Sequence, residues 1–438
     1  MVEIRHIACF VCLGCLGPVW AGEGVDSPGV LRLEKIWELS LGREPGYRVG
    51  LETDAAARAE QEALWRARWP EWSVAVAGDY GQRARPGDER REGVSGRGDV
   101  VARAQWTFWD SGRGWLDEAA ARVRDEALAA GRVFDVGHRA VIGRAYIASV
   151  AAGERAVVLE AQWRAVEDLA RRVRRRMAAG VEPAAAEPEL VAAEARASAV
   201  WREAVRVERV ARQRLSAFAG EAVQPAAIRP EPLLEAEGVR GGTEPESEWL
   251  HRQARSAEAR AQAMRRAESW QMYLVGAGGQ YVSPAFEDGD WQEEYYVGIG
   301  AVWRPDAGGE RRWRAQAEQR RAQAQRAAAD SREREAERAR ERLRDEWREY
   351  PDRLDELAAE QEAAEGRRVV MVRRWQQGLE SWTVALDAVQ EAADLELRRI
   401  DLLEQTALEL VDYAVATGAI DRLPQWLGQA GGTHHAED

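Results

Sequence analysis

Few residues in this sequence have the types and spacing that chemistry needs. Beyond residue 21 the histidines are His138, His251, His434 and His435. They sit far apart or in the polar C-terminal stretch. The adjacent pair His434-His435 offers weak metal binding at most, and a polar tail is the simpler reading. The cysteines Cys9, Cys12 and Cys15 all fall in the first 15 residues, so the rest of the chain holds no thiolate and no disulfide. After residue 21 there is no GxSxG, P-loop, HExxH or CxxC motif. Gly308-Gly309 follows a strand pattern and precedes a helix pattern, a place where a phosphate cradle can form. Arg171–Arg176 concentrates positive charge, but acidic neighbours make it a solvated helix face. These residues predict no enzyme, no metal and no cofactor. A formal net charge of −13 likewise argues against a nucleic-acid partner.

The elements around these residues are more telling. Residues 1–21 read as a secretory signal peptide, with the apolar run Ile7–Leu16 and small residues at Val19 and Ala21 before the cleavage point. A lipoprotein signal acylated at Cys15 is the alternative. Residues 22–50 form an N-terminal segment with a short helix at Leu31–Leu41. A helix is expected over Leu51–Arg68, ended by Trp69-Pro70.

Two alternating stretches follow. Val74, Val76 and Tyr80 share one face of the first, and Trp106 and Phe108 share the apolar face of the second. A polar, Gly-rich loop at 83–98 joins them into a hairpin. Trp115–Met177 then gives a helix pattern of roughly 95 Å. A break at 178–188 and a helix at Glu189–Ala219 close the unit.

The plan then restarts. Residues 221–248 read as a linker, and 249–418 as a second copy of 51–220. Its strands carry Tyr273 and Val275, then Tyr295, Val297, Ile299 and Trp303, on their apolar faces. Gly78 and Gly276, Gly180 and Gly378, and Gly220 and Gly418 are each 198 positions apart. Pro351 falls where Gly153 falls in the first copy, so both long helices have a weak point at one level. Residues 419–438 are expected to be a polar tail.

Each copy supplies two strands of the length that crosses a tilted barrel wall. Four strands cannot close a barrel, and open edges are not tolerated in lipid. Strands from several chains must therefore share one barrel. The Ala-, Arg- and Glu-rich helices suit thin-walled packing with water on both sides. The predicted class is an α+β membrane protein, with four strands per chain in a shared β-barrel and the long helices side by side in a second shared structure. The alternative is a non-transporting periplasmic coiled-coil tether.

In this order and spacing the sequence resembles the TolC-like outer-membrane factor family. The resemblance rests on Leu33–Gly46, on Trp69-Pro70, and on the strand exits Trp106–Arg113 and Val302–Arg311. It rests further on the breaks Arg176–Leu190 and Arg374–Asp387. It also accounts for Gly308-Gly309 as a strand-to-helix turn.

The resemblance implies a homotrimer in the cell outer membrane, with most of the chain in the periplasm. Twelve strands would form the barrel and the helices a tunnel. Conduction would be passive, within a tripartite efflux pump or type I secretion system. A periplasmic membrane-fusion adaptor would dock on the tips and link the duct to an inner-membrane pump. Carried over, Ala179, Gly180, Val181, Gln377, Gly378 and Leu379 match the tip contacts. Asp387 matches one of two constriction acids, and Val384 stands where the other is usual. Glu189 is its counterpart in the first copy. Outer-membrane lipid would meet the apolar strand faces.

Overall fold

The computed structural model describes residues 30–41, 43, scattered positions between 52 and 70, and 71–82, 94–110, 113–230, 243–266, 270–282, 292–303 and 308–429. The expected signal peptide and the side chain of Tyr80 lie outside these. In chain order the elements are β1 (Val30–Leu31), α1 (Leu33–Leu41), β2 (Glu71–Gln82), β3 (Val94–Asp110), α2 (Arg113–Ala178) and α3 (Glu187–Ala219). Then come β4 (Gln224–Pro225), α4 (Pro245–Arg266), β5 (Trp270–Val282), β6 (Gln292–Trp303), α5 (Glu310–Gln376), α6 (Trp382–Thr417) and α7 (Leu423–Trp426). The described positions between 52 and 66 are helical. No helix among the described residues is long and apolar enough to cross a membrane.

The long helices α2 and α5 have 66 and 67 residues, and they run unbroken through Gly153 and Pro351. α2 packs against α3, α4 and α6, and α5 packs against α4 and α6. The α4–α5 seam explains how a helix so poor in large apolar residues is held. Along α5, Ala315, Ala322, Ala329, Ala336, Leu343 and Tyr350 are buried at intervals of seven. Along α4, buried Ser247, Ala254 and Ala261 keep the same interval. A seven-residue repeat makes helices supercoil left-handedly so that the seam stays buried. Alanine in the seam lets the axes approach closely but buries little area. Interhelical pairs such as Arg332–Glu246 (3.0 Å) flank it. Each exposed pair adds at most about 1 kcal/mol.

The shorter helices stack end to end along α5. Gly418, which closes α6 in a left-handed conformation, lies 3.2 Å (from its ideal Cβ) from the carbonyl of Thr243 and next to Pro245, where α4 begins. Arg340 of α5 donates to the Ala416 carbonyl at 2.7 Å, satisfying one orphan acceptor of that helix end.

The main core lies at mid-length, where the chain's remaining segments wrap the helices. Leu33 and Ile36 of α1, Ile142, Tyr146 and Ile147 of α2, Leu215 of α3, and Leu410 and Val411 of α6 meet there. β1 pairs in parallel with β4, Leu31 opposite Pro225. Tyr146 stitches this junction. Its hydroxyl donates to the Ala226 carbonyl at 2.8 Å and accepts from Gln429 Nε2 at 2.8 Å. The other end of the same amide, Gln429 Oε1, accepts from the Leu33 N–H at 3.0 Å. Burial pushes the Tyr146 hydroxyl pKa up to about 12.

This junction corrects two expectations. The tail is not polar throughout, because Ile420, Leu423, Trp426 and Leu427 are core residues and Gln429 is buried. Residues 221–230 are not a loose linker, because Val223 and Ile228 are buried in the same core. Both segments look polar in sequence because their apolar residues come in runs of at most three, broken by Pro, Gly, Gln and charged residues. Residues 231–242 and 430–438 lie outside the described residues.

Candidate channel wall and helical tips

The strands form one open sheet in the order β2-β3-β5-β6, antiparallel throughout. Its register fixes which residues share a face, because directly opposed residues point to the same side. One face carries Trp72, Val74 and Val76 of β2 and, opposite them, Ala104, Ala102 and Val100 of β3. Trp106 continues it to Leu274 and on to Ile299. Val297, Tyr295 and Trp303 complete it on β6, opposite Gly276, Gly278 and Trp270. Trp72, Val74, Val76, Tyr295, Val297 and Ile299 are each 72–79% exposed. The other face carries Ser73, Arg103, Gln105, Thr107 and Tyr296. Arg103 spans β5 above Ala277, and its Nη2 donates to the Tyr296 hydroxyl at 3.2 Å.

Tyr273 and Val275 therefore lie on the opposite face from Val74, Trp106 and Val297. Tyr273 opposes Thr107 and Gly300, and Val275 opposes Gln105 and Gly298. A Cβ on Gly300 would come within 2.3 Å of the Tyr273 ring, so the ring covers that glycine. Grouping these two residues with the exposed apolar face is a one-residue phase error. β5 has apolar side chains on both faces, with Met272 and Leu274 on the other, so alternation alone could not orient it. Tyr295 covers Gly278 from the exposed apolar face in the same way.

Tryptophans gather at one end of this face. Trp72 begins β2, Trp106 and Trp109 end β3, Trp270 begins β5 and Trp303 ends β6. All five are exposed and sit at the helix-proximal ends of their strands. Trp270 and Trp303 stack with ring centroids 6.1 Å apart. A β-bulge between Thr107 and Trp109 makes Phe108 the extra residue, with its ring 6.1 Å from Trp106. The bulge puts Trp109 opposite Met272, so three aromatics of β3 join the row. Sequence reading missed Trp72, Trp109, Trp270, Met272 and Leu274. The tryptophans among them share a feature visible in the sequence, their place at the strand-helix junctions.

The tips at the far end of the helices are two copies of one turn. Gly180 (φ +71°) and Gly378 (φ +75°) adopt the left-handed conformation that favours glycine. Gly180 N–H donates to the Met177 carbonyl and Val181 N–H to the Arg176 carbonyl, both at 2.9 Å. Gly378 and Leu379 repeat this with Trp375 and Arg374 at the same distances. This is the paired closure of a Schellman motif. Val181 and Leu379, at the position that usually makes its hydrophobic contact, are 60% and 64% exposed. Ala179 and Gln377 are exposed beside them.

Arg176 ties the two turns together. It donates to the Trp375 and Gln376 carbonyls at 3.1 and 3.0 Å and lies over the Trp375 ring. Glu182, 3.4 Å from Arg176, accepts from Trp375 Nε1 at 3.2 Å.

Asp387 is exposed on α6 beside half-exposed Val384, and Asp394 is exposed two turns on. Neither has an ion-pair partner among the described residues, whereas Glu391 between them is held by Arg367 at 2.6 Å. Glu189 is exposed in the first turn of α3, where the helix dipole favours an anion. Its neighbour Leu190 and Asp387's neighbour Leu386 share one buried cluster with Trp375 and Trp382. That cluster holds both acid-bearing helix starts at one level.

Neither a family model nor a curated relative matches the sequence. Solved structures do match its fold. The outer-membrane channel OprN is 19% identical with a TM-score of 0.75, over 88% of this chain and 89% of that one. The outer-membrane protein VceC of Vibrio cholerae is 15% identical with a TM-score of 0.74, over 88% and 96%. The MtrE outer-membrane channel of Neisseria gonorrhoeae, in its open state, is 18% identical with a TM-score of 0.72, over 88% and 89%. With its two tandem helical hairpins and one open four-stranded sheet, the chain has the TolC-like outer-membrane channel fold, in which protomers share the barrel.

Proposed function

We propose that this chain is the outer-membrane channel component of a tripartite efflux pump or type I secretion system. Three copies close a twelve-stranded barrel and a helical tunnel, through which substrates pass without energy input by the channel itself. The observation that carries this reading is the open sheet. Its exposed apolar face ends in a row of tryptophans at the helix junctions, and its other face carries Arg103, Gln105 and Thr107. Lipid suits the first face, with the tryptophans at the membrane–water interface, and a water-filled lumen suits the second. The edges β2 and β6 would leave a row of unpaired backbone groups in hydrocarbon, each costing several kcal/mol. Pairing the β2 edge of one copy with the β6 edge of the next removes that cost.

The tips suit the adaptor-facing end of such a duct. Ala179, Gly180 and Val181, with Gln377, Gly378 and Leu379, would offer a periplasmic adaptor exposed apolar side chains on rigid turns, and the inner-membrane pump would connect through that adaptor. Asp387 is assigned to the constriction, with Glu189 beside it. Threefold symmetry would make Asp387 a ring of three unpaired carboxylates that favours cations.

Cell fractionation followed by mass measurement of the unheated, detergent-extracted protein tests the assembly. The expected result is a heat-modifiable species of three chains in the outer-membrane fraction. A soluble monomer in the periplasm would overturn it and favour a tether. For the constriction, Asp387→Ala is expected to raise ion leak through closed trimers in planar bilayers. Unchanged leak would remove Asp387 from the gate.

A further inference from the structure

Outside the sheet and the tips, one cluster brings together side chains with no role in the duct. His251 of α4 faces Asp330 and Glu333 of α5, and one ligand atom from each lies within 4.8 Å of the others. Asp330 and Glu333 are three apart and so share one face of α5. His251 Nε2 is 3.1 Å from Glu333 Oε1, and Ser247, one turn before His251, donates its hydroxyl to that same oxygen at 3.0 Å. Asp330 and Glu333 also line an open cavity of about 630 Å³, shared with Thr243, Glu244 and Arg340.

We propose that His251, Asp330 and Glu333 form a divalent transition-metal site of the Zn²⁺ type, bridging α4 and α5. One imidazole nitrogen with two carboxylates is a ligand set for borderline cations, whereas Ca²⁺ and Mg²⁺ take oxygen ligands. Two ligands at about 2.1 Å in tetrahedral geometry stand roughly 3.4 Å apart, within a few tenths of an ångström of the His251–Glu333 spacing. Three protein ligands leave the fourth position to water, and the cavity gives that water access. Ser247 fixes the Glu333 carboxylate by donating to Oε1, as outer-shell partners of metal ligands do. The site lies on helices of a single chain, and its reading does not depend on the channel being functional.

The test is a Zn²⁺ titration of the chelator-stripped full-length protein in detergent, in competition with a chromophoric chelator. Co²⁺ substitution reports the coordination in the visible spectrum, and circular dichroism checks that each variant is folded. One Zn²⁺ per chain is expected. Ser247→Ala should weaken it on the order of tenfold, and His251→Gln by more than that. The double variant His434→Ala/His435→Ala should bind as the wild type does. The proposal is overturned if folded wild-type protein takes up no Zn²⁺, if His251→Gln binds unchanged, or if the tail double variant alone abolishes binding.

Discussion

Val297→Arg is expected to abolish assembly in the outer membrane, while Val275→Arg leaves it intact. The two valines sit on neighbouring strands at nearly the same height, since Val297 opposes Gly276 and Val275 opposes Gly298. Both were candidates for the apolar face by alternation alone, and the register separates them. Val297 is on the face with Val74 and Ile299, 79% exposed in the single chain. An arginine on the lipid face near the bilayer midplane costs about 2–4 kcal/mol. A trimer incurs that three times, a large part of the stability of an ordinary domain. Val275 lies between Gln105 and Gly298 on the face that carries Arg103, which the proposed barrel turns to its water-filled lumen. The readout is the heat-modifiable species in the outer-membrane fraction. Equal loss in both variants would contradict the face assignment, and the reverse pattern would invert it.

The second large effect is expected far from the membrane. Leu423→Ala should lower stability by about 2–5 kcal/mol, the range for emptying a fully buried leucine site. Leu423 is fully buried, and its Cδ2 lies 3.0 Å from the ideal Cβ position of Gly143 on α2. There is thus little slack through which the cavity could collapse. Gln429→Leu should cost about 1–3 kcal/mol, because the buried Leu33 N–H loses its acceptor and the Tyr146 hydroxyl loses a donor. Thermal unfolding of the purified protein measures both. Wild-type stability in either variant would return this segment to the polar tail that composition suggests.

Much of the architecture is legible in the sequence because it is periodic. Alternation over Ala102–Phe108 marks a strand, and the glycines spaced by 198 mark the duplication. Four of these six glycines prove to be left-handed helix ends, Gly180 matching Gly378 and Gly220 matching Gly418. The seven-residue spacing of Ala315, Ala322, Ala329 and Ala336 was equally available, but alanine is so frequent here that the interval does not stand out. Two kinds of information are not periodic. The orientation of β5 depends on which residues oppose it, and its own residues are apolar on both sides. The mid-length core depends on contacts between Leu33, Tyr146, Ala226 and Gln429, residues from four distant parts of the chain. Nor does a carboxylate such as Asp387 identify itself among many. In the structure it shares exposure without an ion pair with Glu189, Asp355, Glu360 and Asp394, among other described acids.

On the proposed function, copies of this open sheet close around a water-filled path. Single-channel recording in planar bilayers of the unheated, purified assembly tests it most directly. Discrete, uniform conductance steps are expected from the three-chain species, with none from heat-dissociated monomers. A three-chain species that inserts but passes no ions, even as Asp387→Ala, would contradict it.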